Sequence, residues 1–369
     1  MNDKTTNAHY ALHLLGFIAI IFVLYVLKPI IIPLLLAMIL AVMIFPVQKF
    51  FERRLRCNRL FATLVSIVII FLVTASLILI IYSQINNFSS NGQDYAEKLS
   101  DLYHKVLGYF QDTFNISKND SLSEDFKVKN LVKGNLAKIG EFLTQSGSLI
   151  SNAILIPIYL FFFLYYRRFF RVFVYKLFRN KSKSFLNGMI KKIYNVQRGY
   201  LLGMIKVMTI VGVLNTIGLL ALGIENAIFF GFFAALLLLI PYVGVIIGSL
   251  IPALVALVTK DSAWYAFGVI AIFWFIQVLE GNFITPKITG SQVSMNAFVA
   301  ILSLFLFSML WGIFGMIVAL PVVASLKIIF DNTPKLEAYG FLIGEPVNKH
   351  LQSKALSRLK RWKKIRNKQ

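Results

Sequence analysis

The sequence predicts an all-α, polytopic integral membrane protein of about eight transmembrane helices, with glycine- and proline-broken or re-entrant segments in its C-terminal half. Two observations lead to this fold class. Of 369 residues, 58% are hydrophobic and only 15% are charged, whereas soluble domains average about 45–50% and 25%. The apolar residues also collect in runs that approach the roughly 20 helical residues needed to cross a hydrocarbon core of about 30 Å.

Five apolar runs are each interpreted as one span, and three further apolar blocks follow them. Lys28-Pro29 separates the first two runs into a tight hairpin, since proline lacks the amide proton that a continuing helix needs. The predicted spans are 11–27, 30–46, 60–82, 148–166 and 207–223, and the later blocks are 227–258, 263–279 and 296–329.

Two of the later blocks contain helix breakers. Block 227–258 would be about 48 Å long as one straight helix, and Pro241 to Gly244 is its natural break; block 296–329 contains WGIFG and then ALPVVASL. If each block crosses once as a broken helix, the chain has eight crossings and 281–295 lies outside. If each is a two-span hairpin, there are ten crossings and 281–295 lies inside. We favour eight because the split pieces are short for full spans, although re-entrant hairpins would change the count.

The distribution of lysine and arginine orients the spans, because short cytoplasmic loops carry an excess of basic residues. Residues 47–59 carry five basic residues against one acid, and residues 167–206 carry eleven basic residues and no acid. The tail from 349 carries nine basic residues and no acid, whereas 83–147 carries seven lysines and eight acids. We therefore expect both termini and both basic loops in the cytoplasm, and 83–147 outside.

These assignments divide the chain into five segments. The outward segment is expected to form a small helical insertion of two amphipathic helices, since apolar residues recur in it at helical spacing. The expected segments are 1–82, the N-terminal transmembrane helices; 83–147, the extracytoplasmic insertion; 148–206, a transmembrane helix and a basic interfacial helix; 207–330, the C-terminal transmembrane core with the transport site; and 331–369, the basic cytoplasmic tail.

The basic composition does not indicate nucleic-acid binding. The formal net charge is +22, but the basic residues flank apolar runs, where membrane insertion and anionic headgroups favour them. Membrane lipids are therefore the expected partners, and no nucleic acid. The sequence also lacks a G-x4-G-K-[ST] phosphate loop and a Ser/His/Asp or His/Glu metal arrangement, and Cys57 is its single cysteine. We expect no enzyme activity, no catalytic residue, no cofactor and no metal site.

Glu280 is the acid that the sequence singles out. Between Glu141 and Asp331 the other acids are Glu225 and Asp261, and both of these occupy short turns where charge is unremarkable. Glu280 ends a long apolar run, and an acid at mid-membrane costs roughly 2.5–3.5 kcal/mol on insertion scales. It is either a helix-end carboxylate at the headgroups or part of a polar cavity, and its polar neighbours favour the cavity.

We expect the breaks at 241–244 and 281–290 to line a translocation path, because irregular backbone at membrane depth needs protein or water to satisfy it. Glu280 would bind a proton, a sodium ion or a polar substrate, and its amide neighbours would form hydrogen bonds. Lys287 would either pair with Glu280 in the empty state or only flank the membrane. The predicted path residues are Gln277, Glu280, Gly281, Asn282, Pro286, Lys287, Gly290, Pro241, Tyr242 and Gly244.

The order of these motifs resembles the autoinducer-2 exporter family of permeases. The pattern is P-Y-V-G, G-x3-P-A, Q-x2-E-x-N-x3-P-x3-G and a glycine-rich hairpin ending in A-L-P-V. It is carried by Pro241, Tyr242, Gly244, Gly248, Pro252, Gln277, Glu280, Asn282, Pro286, Gly290, Gly312, Gly315 and Pro321. One element departs from the family, since Gly199-Tyr200 replaces the usual Gly-Gln step.

The resemblance implies a homo-oligomer in the bacterial inner membrane with both termini cytoplasmic. It also implies export or exchange of small solutes, and members are linked to a signalling furanone or to sodium/proton antiport. We expect a secondary transporter for a small polar solute or signalling molecule, with H⁺ or Na⁺ as a candidate coupling ion. The alternatives are a Na⁺(Li⁺)/H⁺ antiporter of the same family, a channel-like pore, and a membrane scaffold that transports nothing.

Overall fold

The computed structural model describes residues 3–90, 147–241, 243–288 and 295–345, and no strand occurs within these ranges. The expected all-α, polytopic membrane fold is confirmed. Most of the predicted insertion, from 91 to 146, lies outside the described residues, as does the tail from 346. The two amphipathic helices predicted for that insertion therefore stay a prediction.

Twelve α-helices occur in the described ranges, and each predicted span lies on one of them. They are α1 (Asp3–Val26), α2 (Lys28–Arg53), α3 (Arg59–Ser90), α4 (Gly147–Tyr165), α5 (Arg167–Leu177), α6 (Lys183–Ala221), α7 (Ala227–Leu237), α8 (Val243–Thr259), α9 (Trp264–Leu279), α10 (Thr285–Ile288), α11 (Ala297–Asp331) and α12 (Glu337–Ile343), with a π-helical turn, Glu280–Ile284, between α9 and α10.

Five helical stretches are long and apolar enough to cross a membrane, and shorter apolar helices accompany them. The long stretches are Lys28–Arg53, Arg59–Gln84, Lys183–Ala221, Trp264–Ile288 and Ala297–Asp331. The chain divides into two compact units: Met1–Arg171 with Leu202–Ile288, and Val172–Leu201 with Thr289–Gln369.

In the first unit, α2 packs against α4 and α3. The buried residues at this contact are Ala37, Ile44, Leu160 and Leu164. The proline of the Lys28-Pro29 step lies in the first turn of α2, where its missing amide proton would be unpaired in any case. Much of α3 leaves its leucine, isoleucine and phenylalanine side chains exposed, as expected of a helix that faces lipid.

The same unit contains a second core formed by α6 to α9. Its buried centre includes Leu219, Phe230 and Val269. Gly231 of α7 lies directly against Thr216 of α6, and the Thr216 hydroxyl donates to a carbonyl of its own helix at 2.7 Å. The small residue thus lets the two helix backbones approach closely, as is common between transmembrane helices.

Helices α7 and α8 form an antiparallel hairpin. Gly244, at the start of α8, meets the carbonyl of Leu237 at the end of α7, and Gly248 lies one turn further on against Ala234. The chain therefore reverses between Leu237 and Gly244. A single broken crossing, favoured from the sequence, is wrong for this block. The first arm has 11 residues and spans about 16 Å, which is short of a full crossing.

The second unit contains another hairpin within α11. Gly312 has φ 63° and ψ −141°, a conformation open essentially to glycine alone. The chain folds back there, since Gly315 lies against the carbonyl of Phe307, and Val323 and Val299 belong to one apolar cluster. The two arms are 297–311 and 313–331. The single broken crossing is therefore wrong for this block as well.

Candidate functional site

The stretch around Glu280 is helical as far as Ile288, contrary to the predicted break at 281–290, whose last two residues lie outside the described part of the chain. Helix α9 runs through the π-helical turn Glu280–Ile284 into α10, and the backbone amide of Thr285 donates to the carbonyl of Glu280, five residues earlier. Pro286 follows at once; its ring has no amide proton and would clash with a carbonyl one α-turn earlier. The wider π-turn is thus the local response to this proline, and such turns occur often at functional sites.

The Glu280 carboxylate accepts two hydrogen bonds and is partly buried. Gln277 Nε2 donates to Oε2 at 2.7 Å, and the Thr285 hydroxyl donates to Oε1. One donor precedes the carboxylate by three residues and the other follows it by five, so the π-turn brings the second donor within reach. The site is a carboxylate whose two oxygens are each held in place by a neutral donor. Thr285 was not among the predicted path residues.

Two other predicted polar residues do not join this carboxylate. Asn282 Nδ2 donates to the carbonyl of Val278 at 2.9 Å and is exposed. Lys287 is exposed, and the ion pairs found in the described ranges, Arg167–Glu52 and Lys327–Asp331, do not include it. The predicted pairing of Lys287 with Glu280 is therefore not observed in this structure.

The predicted glycines occupy different environments. Gly281 has no heavy atom within 4 Å of the position that a Cβ would take, whereas Gly244 is pressed against the Leu237 carbonyl. A close approach of two backbones therefore explains why position 244 is a glycine, but it does not explain the glycine at position 281. Pro241 lies in the turn between α7 and α8. Tyr242 and Gly290, the remaining predicted path residues, lie outside the described residues.

One apolar cluster connects the α7–α8 turn with the helix that carries Glu280. Its buried members include Val211 of α6 and Ile276 of α9, and Leu238, Ile284 and Ile288 pack against it. The start of the α7–α8 turn, at Leu238, and the end of the helix that carries Glu280 therefore pack against the same apolar cluster. A separate groove of about 360 Å³, lined mostly by apolar residues of α3, α6 and α7, includes none of the predicted path residues.

A polar network between α2, α3 and the start of α5 was missed from the sequence. Arg167 Nη2 lies 2.5 Å from Glu52 Oε2, and Arg167 Nη1 donates to Gln48 Oε1 at 3.3 Å. Gln48 is fully buried and donates to the Thr63 hydroxyl at 2.7 Å. The arginine also lies over the ring of Phe45, 5.2 Å from its centroid. One available signal was that Glu52 is the single acid in a strongly basic loop.

Two further buried amides lie on α6. In the second unit, Gln197 Nε2 donates to the carbonyl of Pro321 at 2.5 Å and to the Ser325 hydroxyl at 2.6 Å. The buried Oδ1 of Asn215, in the first unit, has no hydrogen-bond partner in the described structure. A proline carbonyl receiving a side-chain donor 124 residues away leaves no trace in sequence spacing, so this contact could not be predicted.

Comparison with known proteins gives one family over nearly the whole chain. The sequence model of the family described as "AI-2E family transporter" matches residues 14–335. A Haemophilus influenzae protein named "Putative transport protein" is 25% identical over 355 residues, covering 93% of this chain and 98% of that protein. "Putative transport protein YueF" of Bacillus subtilis is 26% identical over 313 residues, covering 82% and 84%. "Putative permease PerM" of Escherichia coli is 25% identical over 315 residues, covering 82% and 87%.

Proposed function

Because the chain belongs to the AI-2E family of transporters, we propose that it is a secondary transporter that moves a small polar solute across the bacterial inner membrane. Glu280 is the central residue of this proposal. Its carboxylate binds either the solute or a coupling ion, H⁺ or Na⁺. The observation that carries the proposal is the π-helical turn that places this carboxylate between Gln277 and Thr285.

Three features support a binding role rather than a purely structural one. Acids within membrane segments are costly and mark substrate or ion pathways. The two hydrogen-bond donors to Glu280, Gln277 and Thr285, are neutral, so neither of them compensates its negative charge. The α7–α8 turn packs near the same helix end, and interrupted helices in the C-terminal half of a transporter point to its site.

The two hairpins bear on the sidedness of this site. A hairpin begins and ends on the same side of the membrane, whether or not its arms cross fully. We take the N-terminus as cytoplasmic, so that α6 leads outward and α9 leads back, and we propose a cytoplasmic location for 281–295 and the C-terminus. Labelling Thr285→Cys in a Cys57→Ser background with an impermeant thiol reagent tests this proposal, and exclusive labelling from the outside would contradict it.

The test of function is a flux assay on the full chain in proteoliposomes. The panel comprises Na⁺, Li⁺, protons and small polar metabolites. Glu280→Gln keeps the size of the side chain and removes its charge, so flux of the transported species should fall at least tenfold. A tenfold fall corresponds to the loss of about 1.4 kcal/mol of the free energy with which the charged carboxylate binds its ligand. Thr285→Val and Gln277→Leu each remove one hydrogen-bond donor to Glu280 and should weaken solute or ion binding. Flux at a saturating concentration of the solute or ion should fall less than the binding does.

The matched control is Glu225→Gln, which neutralises an exposed acid in a turn and should leave flux unchanged. Flux that is unchanged and independent of pH in Glu280→Gln would remove Glu280 from the mechanism. If the measured flux is only the exchange of Na⁺ or Li⁺ for protons, the protein is the antiporter and not the solute permease. Lack of flux for every species would support the scaffold. Homo-oligomeric assembly stays a prediction of the family resemblance.

A further inference from the structure

An open groove lined by aromatic and aliphatic side chains lies where α4 leads into α5. It has a volume of about 580 Å³, and all of its lining surface is apolar. The lining residues are Leu34, Tyr159, Phe162, Phe163, Tyr166, Phe169 and Phe170. Its size falls within the range of about 300–1,000 Å³ typical of pockets for small molecules. The groove has no part in the proposed path around Glu280.

Two arginines on the helix that borders this groove, Arg168 and Arg171, form no ion pair within the described ranges. Arg167 is engaged by Glu52 and Gln48, so its charge is compensated. Arg168 and Arg171 are exposed. Residues three apart lie on the same side of a helix, so the two form one basic edge along the first turns of α5.

The aromatic residues of the same turns lie on the opposite side. Phe169 and Phe170 follow Arg168 by about 100° and 200° around the helix axis, and both line the groove. A helix with aromatic residues on one side and arginines on the other lies in the membrane interface, with its apolar side toward the acyl chains. The engaged Arg167 ties the start of this helix to α2 and so fixes the position of both sides.

We propose that this groove and the Arg168–Arg171 edge form a binding site for one anionic phospholipid. An acyl chain occupies the aromatic groove, and the phosphate of the headgroup lies against the two arginines. A phospholipid supplies both an acyl chain for the groove and an anionic phosphate for the arginines, at the membrane depths where each is needed. Arginine side chains reach toward the headgroups while their apolar stems stay near the hydrocarbon. Arginine is also well suited to phosphate, with several donors in a planar fork.

The test uses native mass spectrometry of the full chain released from nanodiscs that contain equal amounts of phosphatidylglycerol and phosphatidylcholine. The intact protein should retain phosphatidylglycerol in preference to phosphatidylcholine. Replacing both arginines, Arg168→Gln with Arg171→Gln, should lower this preference about 10- to 30-fold. The matched control is Arg53→Gln with Arg54→Gln, which removes two exposed basic residues at the end of α2 and should leave the preference unchanged.

A second pair of variants tests the groove itself. Leu34→Trp fills the groove and should reduce retention of both lipids, whereas Leu72→Trp, at an exposed position of α3, should not. Equal retention of the two lipids by the intact protein would overturn the proposal. So would equal losses in the two arginine pairs, or retention that Leu34→Trp does not change. Disulfide-linked dimers from Phe162→Cys in a Cys57→Ser background, without retained lipid, would assign the groove to a second copy of the chain and also overturn it.

Discussion

A methyl group added at Gly244 should open the α7–α8 hairpin, whereas the same methyl at Gly281 should be harmless. A Cβ at Gly244 would overlap the carbonyl group of Leu237, and this obstacle is main chain that cannot rotate away. Overpacking a well-packed site costs about 1–3 kcal/mol. Because backbone must move here, we expect Gly244→Ala to lower the free energy of unfolding by about 3 kcal/mol.

Alanine at Gly281 should change the free energy of unfolding in the opposite direction. No heavy atom lies within 4 Å of its Cβ position, and replacing a helical glycine by alanine gains about 0.5–1 kcal/mol. Gly248→Ala should fall between the two, since its Cβ would lie 2.8 Å from the Cβ and 3.0 Å from the Cα of Ala234, a milder overlap than that between a Cβ at Gly244 and the carbonyl oxygen of Leu237. The three variants thus form a graded series of one chemical change.

The measurement is the free energy of unfolding of the full chain, obtained by reversible titration with sodium dodecyl sulfate in mixed micelles. Gly244→Ala and Gly281→Ala should differ by about 3–4 kcal/mol, the sum of the overpacking cost and the helix gain. If the two variants agree to within about 0.5 kcal/mol, the range of an ordinary surface substitution, then Gly244 does not lie against α7 and the hairpin assignment is wrong.

Two further predictions concern stability. Glu52→Gln and Arg167→Met should show a coupling energy of about 1–3 kcal/mol in a double-mutant cycle, as for a charge-assisted hydrogen bond between side chains that are 16% and 24% exposed. The control is the i,i+4 pair Lys327–Asp331, for which we expect a coupling energy of about 0.3–0.5 kcal/mol. Equal coupling energies in the two pairs would contradict the network. Gly312→Ala should lower the unfolding free energy by about 1–3 kcal/mol through backbone strain alone, because its Cβ position is open; an unfolding free energy equal to that of the parent protein would refute the turn at Gly312.

The positions of the helix interruptions in the two C-terminal blocks were predicted better from the sequence than the direction in which the chain continues after each interruption. Apolar runs locate helices because hydropathy is a property of each segment by itself, and Pro241 and Gly312 correctly marked two interruptions. Whether the chain continues or reverses there depends on one φ angle, 63° at Gly312, and on whether a glycine meets a carbonyl of the preceding arm. Neither quantity is encoded in composition, so a preference for single broken crossings was wrong for both blocks.

The two acids Glu280 and Glu52 show why local patterns found one site and missed another. Glu280 has its donors three residues before it and five residues after it, so its neighbours in the sequence are also its neighbours in space. Glu52 is paired with an arginine 115 residues away, and only the packing of α2 on α4 brings them together. Basic residues that are close in the sequence do not identify the partner of either acid. Lys287 is near Glu280 in the sequence but does not bind it, whereas Glu52 binds the distant Arg167. A carboxylate with only neutral donors keeps its charge available to a ligand, whereas one already paired with arginine stabilises the fold. This difference makes Glu280, rather than Glu52, the acid on which solute transport is expected to depend.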